Sequence, residues 1–277
     1  MLLLPPHWYW DIMDILGYVA AIFIGIVLGL IGSGGSILTI PVLVYLFQID
    51  VVLATSYALF IVGITSVVGA YSYFKKELVD FKLVLFFGMP SIAAVFLSRR
   101  FILPAIPQHI LQIEDFFIVK NNFILLIFAV LMLFSALSMV RRNNIDLQKT
   151  GAATNSGYLL FVLEGLAIGT ITGVLGAGGG FLIIPVLVHV LKLPMKKAVG
   201  TALVIVSINT LFGFLFSLPI KNLDLSLMLS ISGIAIVGIL IGSRLSNRIE
   251  GEKLKPIFGW FVLIMGIYIL VKEIFLK

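Results

Sequence analysis

Twice in this chain a cluster of small residues interrupts long apolar sequence: GLIGSGGSILTIPVLV at 29–44 and GVLGAGGGFLIIPVLV at 173–188. Several glycines between apolar runs break a helix, because Gly reaches positive φ freely and costs about 1 kcal/mol in a helix interior. The helix that resumes after a break presents free N–H groups and roughly half a positive charge at its N-terminus. That is an anion site built without Lys or Arg. The candidate binding residues are Gly32, Ser33, Gly34, Gly35 and Ser36 in the first copy and Gly176, Gly178, Gly179 and Gly180 in the second. Ser33 and Ser36 add hydroxyl donors where the second copy has Ala177 and Gly180. Pro41 and Pro185 are expected to mark where regular helix begins, after an extended stretch. Gly25 and Gly29, like Gly169 and Gly173, have GxxxG spacing and read as close packing contacts, within a protomer or between protomers of a homo-oligomer.

The apolar stretches after the clusters carry small hydroxyl residues on one helical face. Thr55, Ser56, Gly63, Ser66 and Gly69 fall together at 100° per residue, and the matching face of the second copy has Gly200, Ser207, Thr210 and Gly213. Thr65 and Asn209 lie beside these faces. Such groups can donate to a passing anion or glue helices together. Thr55, Ser56, Ser66, Ser207, Asn209 and Thr210 therefore join the candidate binding set. Glu164, inside YLLFVLEGLAIG, is a candidate for proton coupling, since an ionisable group at membrane depth is there for function by default. A structural Glu near the interface is the competing reading. His189 is expected at a solvated helix end. Asp80 and Asp224, repeat partners that each precede a long apolar stretch, read as helix N-caps. Arg99, Arg100 and Arg244 are expected to snorkel to the interface.

These groups need elements to hold them, and composition says which. Of 277 residues, 61% are hydrophobic and 12% charged, against about 25% charged in an ordinary soluble domain. With a mean hydropathy of +1.18 the chain is an all-α, polytopic integral membrane protein whose first partner is the lipid bilayer. Its 19 Lys and Arg, scattered between apolar runs, form no basic patch for nucleic acid. With no Cys and three His there is no ligand set for a metal, and no motif calls for a cofactor. No nucleophile–base pair or acidic dyad points to an enzyme. The N-terminus lacks a basic n-region and reads as retained sequence, with Trp8, Tyr9 and Trp10 as an interfacial anchor.

A spanning helix needs about 20 apolar residues. Such runs occur at about 14–31, 52–74, 82–103, 121–140, 157–175, 196–218, 226–246 and 254–275, with two runs of 12 residues at 36–47 and 180–191. Displaced by 144 residues, 25–69 lies on 169–213 without a gap and 18 of 45 positions are identical. The chain therefore divides into a first repeat (1–140), a polar loop (141–156) and a second repeat (157–277). If each short run spans or folds back against the helix before it, 13 Lys and Arg fall on one side of the membrane and 6 on the other. The positive-inside rule then puts both termini outside the cytoplasm, in the cell membrane of a multi-pass protein, and inverts the second repeat relative to the first.

The doubled motif, the stretches ATSYALFIV (54–62) and AVGTALVIV (198–206), and Val79-Asp80 with Leu223-Asp224 make the chain resemble the TauE/SafE family of membrane proteins, named for sulfite export. The resemblance spans nearly the whole chain. It implies a permease for small sulfur-containing anions such as sulfite, a sulfonate or thiosulfate. Related thiosulfate uptake proteins rely on cysteines along the path; this chain has none, so no thiol relay operates here. The expectation is export of a small oxyanion by alternating access around the two breaks. A passive anion channel and an uptake permease for another small anion are the alternatives. The stretch 104–121 has no counterpart in the second half.

Overall fold

In the computed structural model, residues 7–113, 116–140, 155–190, 193–218, 223–246 and 251–275 are described. The first repeat runs α1 (His7–Ile31), a 3-10 helix (Ser33–Leu38), α2 (Thr39–Tyr45), α3 (Val51–Phe74), α4 (Phe81–Leu97), a π-helical turn (Ser98–Ile102), α5 (Leu103–Ala105), strands β1 (His109–Ile113) and β2 (Phe116–Val119), and α6 (Lys120–Val140). The second runs α7 (Asn155–Leu175), α8 (Gly180–Pro185), a π-helical turn (Val186–Val190), α9 (Met195–Leu215), α10 (Leu225–Leu245) and α11 (Gly251–Phe275). Most of the loop between the repeats, 141–154, lies outside the described residues. Among the described residues six helices are long and apolar enough to cross a membrane, and Gly34–Tyr45 is a shorter apolar one. Large apolar side chains face outward, as lipid contact requires: Phe134 is 68% exposed and Ile264 62%.

The packing repeats as the sequence does. A shift of 144 turns α1 into α7, α3 into α9 and α4 into α10. Helix α1 packs along α10, and α7 packs along α4; the shift exchanges these two pairs. Their close approach depends on the GxxxG glycines. A Cβ on Gly25 would enter the Ala235 carbonyl, and one on Gly29 would lie 2.5 Å from the Ser243 nitrogen. Gly169 abuts the Ser91 carbonyl and Gly173 lies against Ser98 and Val95. Both glycine pairs are thus used inside the chain, between the two repeats. At the centre α3 packs on its own counterpart, α9. Gly63 faces Leu211 and Thr210, while Gly69 faces Leu203, so the two helices run antiparallel. This is the relation that an inverted duplication requires.

The aspartates behave as N-caps. Asp80 accepts from the Leu83 N–H at 3.3 Å and Asp224 from the Leu227 N–H at 3.0 Å. Each is also latched to the opposite repeat: the Asp80 N–H donates to the Thr201 hydroxyl at 2.9 Å, and the Asp224 N–H donates to the Tyr57 hydroxyl at 2.5 Å. Tyr57 and Thr201 are themselves 144 apart. One departure from a purely helical chain is the antiparallel hairpin β1–β2, within the stretch that has no counterpart in the second half. It is pinned by Lys120, whose ammonium donates to the Leu103 carbonyl at 2.6 Å, and by Asn121, which donates to Asp50 at 2.6 Å.

Candidate functional site

Each glycine cluster ends one helix and starts another, and the two meet. The 3-10 helix Ser33–Leu38 packs directly on α8. Both breaks open on a glycine with positive φ, Gly32 at 79° and Gly176 at 74°. Any other residue is strained there. Beyond that point they differ. The first continues at once as 3-10 helix, with Gly34, Gly35 and Ser36 all buried. In the second, Gly178 and Gly179 are also left-handed, at 72° and 65°, and α8 begins at Gly180. The expected extended stretch before each proline is absent. Pro41 is the third residue of α2, where its missing N–H leaves nothing unpaired, and Pro185 closes α8. The Ser33 and His189 side chains lie outside those described.

The breaks reach the central helix pair from opposite ends. Gly32 sits against Val199 near the start of α9, and a Cβ on it would lie 3.3 Å from Ile184 of α8. Gly176 lies against the Thr55 carbonyl and side chain near the start of α3. Gly178 lies deeper, where a Cβ would come within 3.1 Å of both Thr210 and Val62. Of the hydroxyl candidates, Thr55 and Thr210 therefore join the second break. Ser207 and Thr210 donate back to helix carbonyls, of Val204 and Val206. Asn209 donates to Ser91 of α4 at 2.7 Å and its carbonyl oxygen is buried without a partner, as is the Ser66 hydroxyl. Glu164 is half-buried with one carboxylate oxygen unpartnered. It lies 12 residues before Gly176, roughly 18 Å along α7, so the structure does not bring it to the breaks.

Arg99 overturns one expectation. It does not snorkel: it is 5% exposed. Its Nη1 donates to the Thr55 hydroxyl at 3.0 Å and to Ser56 at 3.5 Å, and Thr55 in turn donates to the Val52 carbonyl. The cause is the π-helical turn. Pro104 has no N–H for the carbonyl of Arg100, and the backbone widens just before it, with the Leu103 N–H bonded to the Ser98 carbonyl. That turn packs on α7, and Arg99 reaches from it to Thr55 and Ser56 of α3. A sequence signal existed: Arg100 has a counterpart in Arg244, but Arg99 aligns with Ser243, so only one of the doubled arginines is part of the repeat.

Two cavities stand apart from the breaks. One of about 510 Å³ is apolar and lined by Phe101, Ile106, Pro107 and Phe123; another of about 290 Å³ is lined by Gln48, Asp50, Asn121 and Glu273. Among the described residues no group of three His, Asp or Glu could hold a metal ion.

Similarity to known proteins bears on this geometry. The family described as Sulfite exporter TauE/SafE matches over residues 18–269. The probable membrane transporter protein YjnA of Bacillus subtilis is 27% identical over 255 residues, covering 89% of this chain and 95% of that one. A probable membrane transporter protein of Xylella fastidiosa is 24% identical over 261 residues, covering 89% and 91%. One of Methanocaldococcus jannaschii reaches 32% over 115 residues, 39% of this chain and 43% of that one. No solved structure matches.

Proposed function

The chain belongs to the sulfite exporter TauE/SafE family and is a multi-pass membrane protein, and on that footing we propose that it carries a small sulfur-containing oxyanion, sulfite or an organosulfonate, out of the cell. Membrane transport follows from the family and from relatives named as probable membrane transporter proteins. The observation that carries the finer reading is the meeting of two glycine breaks beside the antiparallel pair α3–α9. Irregular backbone at that depth is tolerated where it lines a site. We assign the anion to the space between the breaks, held by backbone N–H groups and by Thr55, Ser56, Ser66, Thr210 and Asn209 as the path opens. Movement of one repeat against the other exposes the site to each side in turn. The basic loops face the cytoplasm and both termini face out, in the cell membrane. The chain is a transporter and not an enzyme in this reading.

Sulfite flux into proteoliposomes tests it, with sulfate, thiosulfate and a short sulfonate as competitors. Saturable flux, accelerated by sulfite on the far side, is expected. Flux that does not saturate and ignores the far side would replace the carrier with a channel. No flux of any of the four anions would remove the substrate class.

A further inference from the structure

The second break is bordered by a charge that nothing in the duplicated motif supplies. Arg99 is buried, yet its Nε and Nη2 atoms have no hydrogen-bond partner, and no carboxylate lies within ion-pair distance of it among the described residues. A buried guanidinium with two open nitrogens is costly to keep. The unused atoms are not an arbitrary pair. Nε–H and one Nη2–H point the same way and form the side-on fork that takes two oxygens of one anion. Nη1, on the other edge, is anchored by Thr55 and Ser56, which fixes the plane of the fork. Thr55 also bears on Gly176, and Gly173 bears on Ser98 beside Arg99. The buried Ser98 hydroxyl is unpartnered too. One corner thus holds an unfilled fork and a free hydroxyl, next to a left-handed glycine.

We propose that Arg99 is a binding residue for an oxyanion that presents two oxygens to its Nε–Nη2 edge, at a station beside the second break, where Thr55 meets Gly176. The anion neutralises a buried charge that has no carboxylate partner among the described residues. The station is one-sided, since Ser243 stands at the equivalent place in the second repeat. The proposal deepens the transport reading and rests on it for how the anion arrives; the binding step itself does not depend on transport.

The test uses the full chain purified in detergent. Its thermal unfolding midpoint is followed at constant ionic strength with sodium sulfite, methanesulfonate or acetate against sodium chloride, which has no oxygen pair. A ligand that binds only the folded chain raises the midpoint. Stabilisation by at least one oxyanion over chloride is expected, and the strongest of the three identifies the anion class. Arg99→Lys keeps the charge but loses the fork, and should raise the half-saturating concentration roughly 10- to 100-fold. Arg99→Gln should abolish the response. If Arg99→Gln does not fold, the double variant Thr55→Val, Ser56→Ala decides beside Arg99→Lys. It keeps the arginine and frees its plane, so half-saturation should rise there as well. An arginine that only holds helices together would lower the basal midpoint in these variants and leave half-saturation unchanged, and that result overturns the proposal. So does a wild type that no oxyanion stabilises over chloride. Sulfite flux, measured in parallel, separates the two readings. Arg99-dependent stabilisation without flux removes the transport assignment and keeps the station. Saturable flux with an unchanged KM in Arg99→Lys removes the station and keeps transport.

Discussion

The two glycine breaks share four glycines and a following Ile-Pro-Val-Leu-Val, yet they fold differently. Gly32 in the first has one positive φ and leads straight into 3-10 helix; the second keeps left-handed backbone at Gly176, Gly178 and Gly179. Their neighbours are the same by symmetry. Gly35 packs on Leu28 and Ile24 of α1, and Gly179 packs on Thr172 and Ile168 of α7, positions 144 apart in each case. Equivalent positions thus contact breaks whose backbones differ, and the breaks themselves differ at Ser33/Ala177 and Ser36/Gly180. The lesson is that glycine here keeps two conformations within reach of one packing arrangement. On the alternating-access mechanism proposed above, each copy shows the form that the other takes in the opposite state.

That comparison breaks first at Gly176. A Cβ there would enter the Thr55 carbonyl, a backbone atom that cannot turn aside. Gly176→Ala should cost roughly 2–5 kcal/mol, from left-handed strain and overpacking together. At Gly32 the nearest atoms belong to the side chains of Val199 and Ile184, not to backbone. Gly32→Ala should cost roughly 1–3 kcal/mol, nearly all of it backbone strain. Thermal unfolding of the purified variants measures both. Equal losses would mean that the breaks are equivalent and their difference in backbone carries no weight.

Gly34→Ala sharpens the same comparison through function. Gly34 lies in 3-10 helix at negative φ, while its counterpart Gly178 is left-handed. Alanine penalises the left-handed form relative to the helical one by about 1–2 kcal/mol. If the first break must adopt that form during transport, flux should fall roughly 5- to 30-fold while the unfolding midpoint changes much less. A fall in midpoint that accounts for the whole loss of flux would tie Gly34 to packing alone.

Much of this architecture was legible in the sequence because a duplicated chain carries its own alignment. The repeated helices, the N-caps at Asp80 and Asp224 and the GxxxG contacts all follow from residue type and spacing, which local rules handle well. Four features did not. The backbone difference between Gly34 and Gly178 lies in φ angles that identical residues cannot announce. Arg99 reads as an interfacial residue by its place near a helix end, and what buries it is a π-helical turn that only the fold displays. The two strands His109–Ile113 and Phe116–Val119 were hidden in a stretch marked only as lacking a counterpart. The Pro41 expectation failed because a proline in the first turn suits a helix already begun.

The smallest effect separates the two N-caps. Asp80 and Asp224 cap alike, but Lys197 sits 3.0 Å from Asp80, while position 53, its counterpart across the repeat, is Leu. Burial alone would raise the Asp80 carboxyl; the hydrogen bond from Lys197 and the Leu83 N–H outweigh it and hold the group below its ordinary value of 3.8. A carboxyl depressed in the folded chain stabilises it above the unfolded pKa and loses that contribution as pH falls through the folded value. The Asp80 contribution should therefore be intact at neutral pH and fade below about pH 4. Both partners of the pair are partly exposed, so the ion pair itself contributes under about 1 kcal/mol. Asp80→Asn keeps a capping oxygen and removes the charge. Its unfolding midpoint should lie slightly below wild type at pH 7 and converge with it as the pH falls through the folded pKa. Asp224→Asn, with no lysine opposite, should show a smaller gap at pH 7. Identical gaps for the two variants would mean that the lysine adds nothing to the cap.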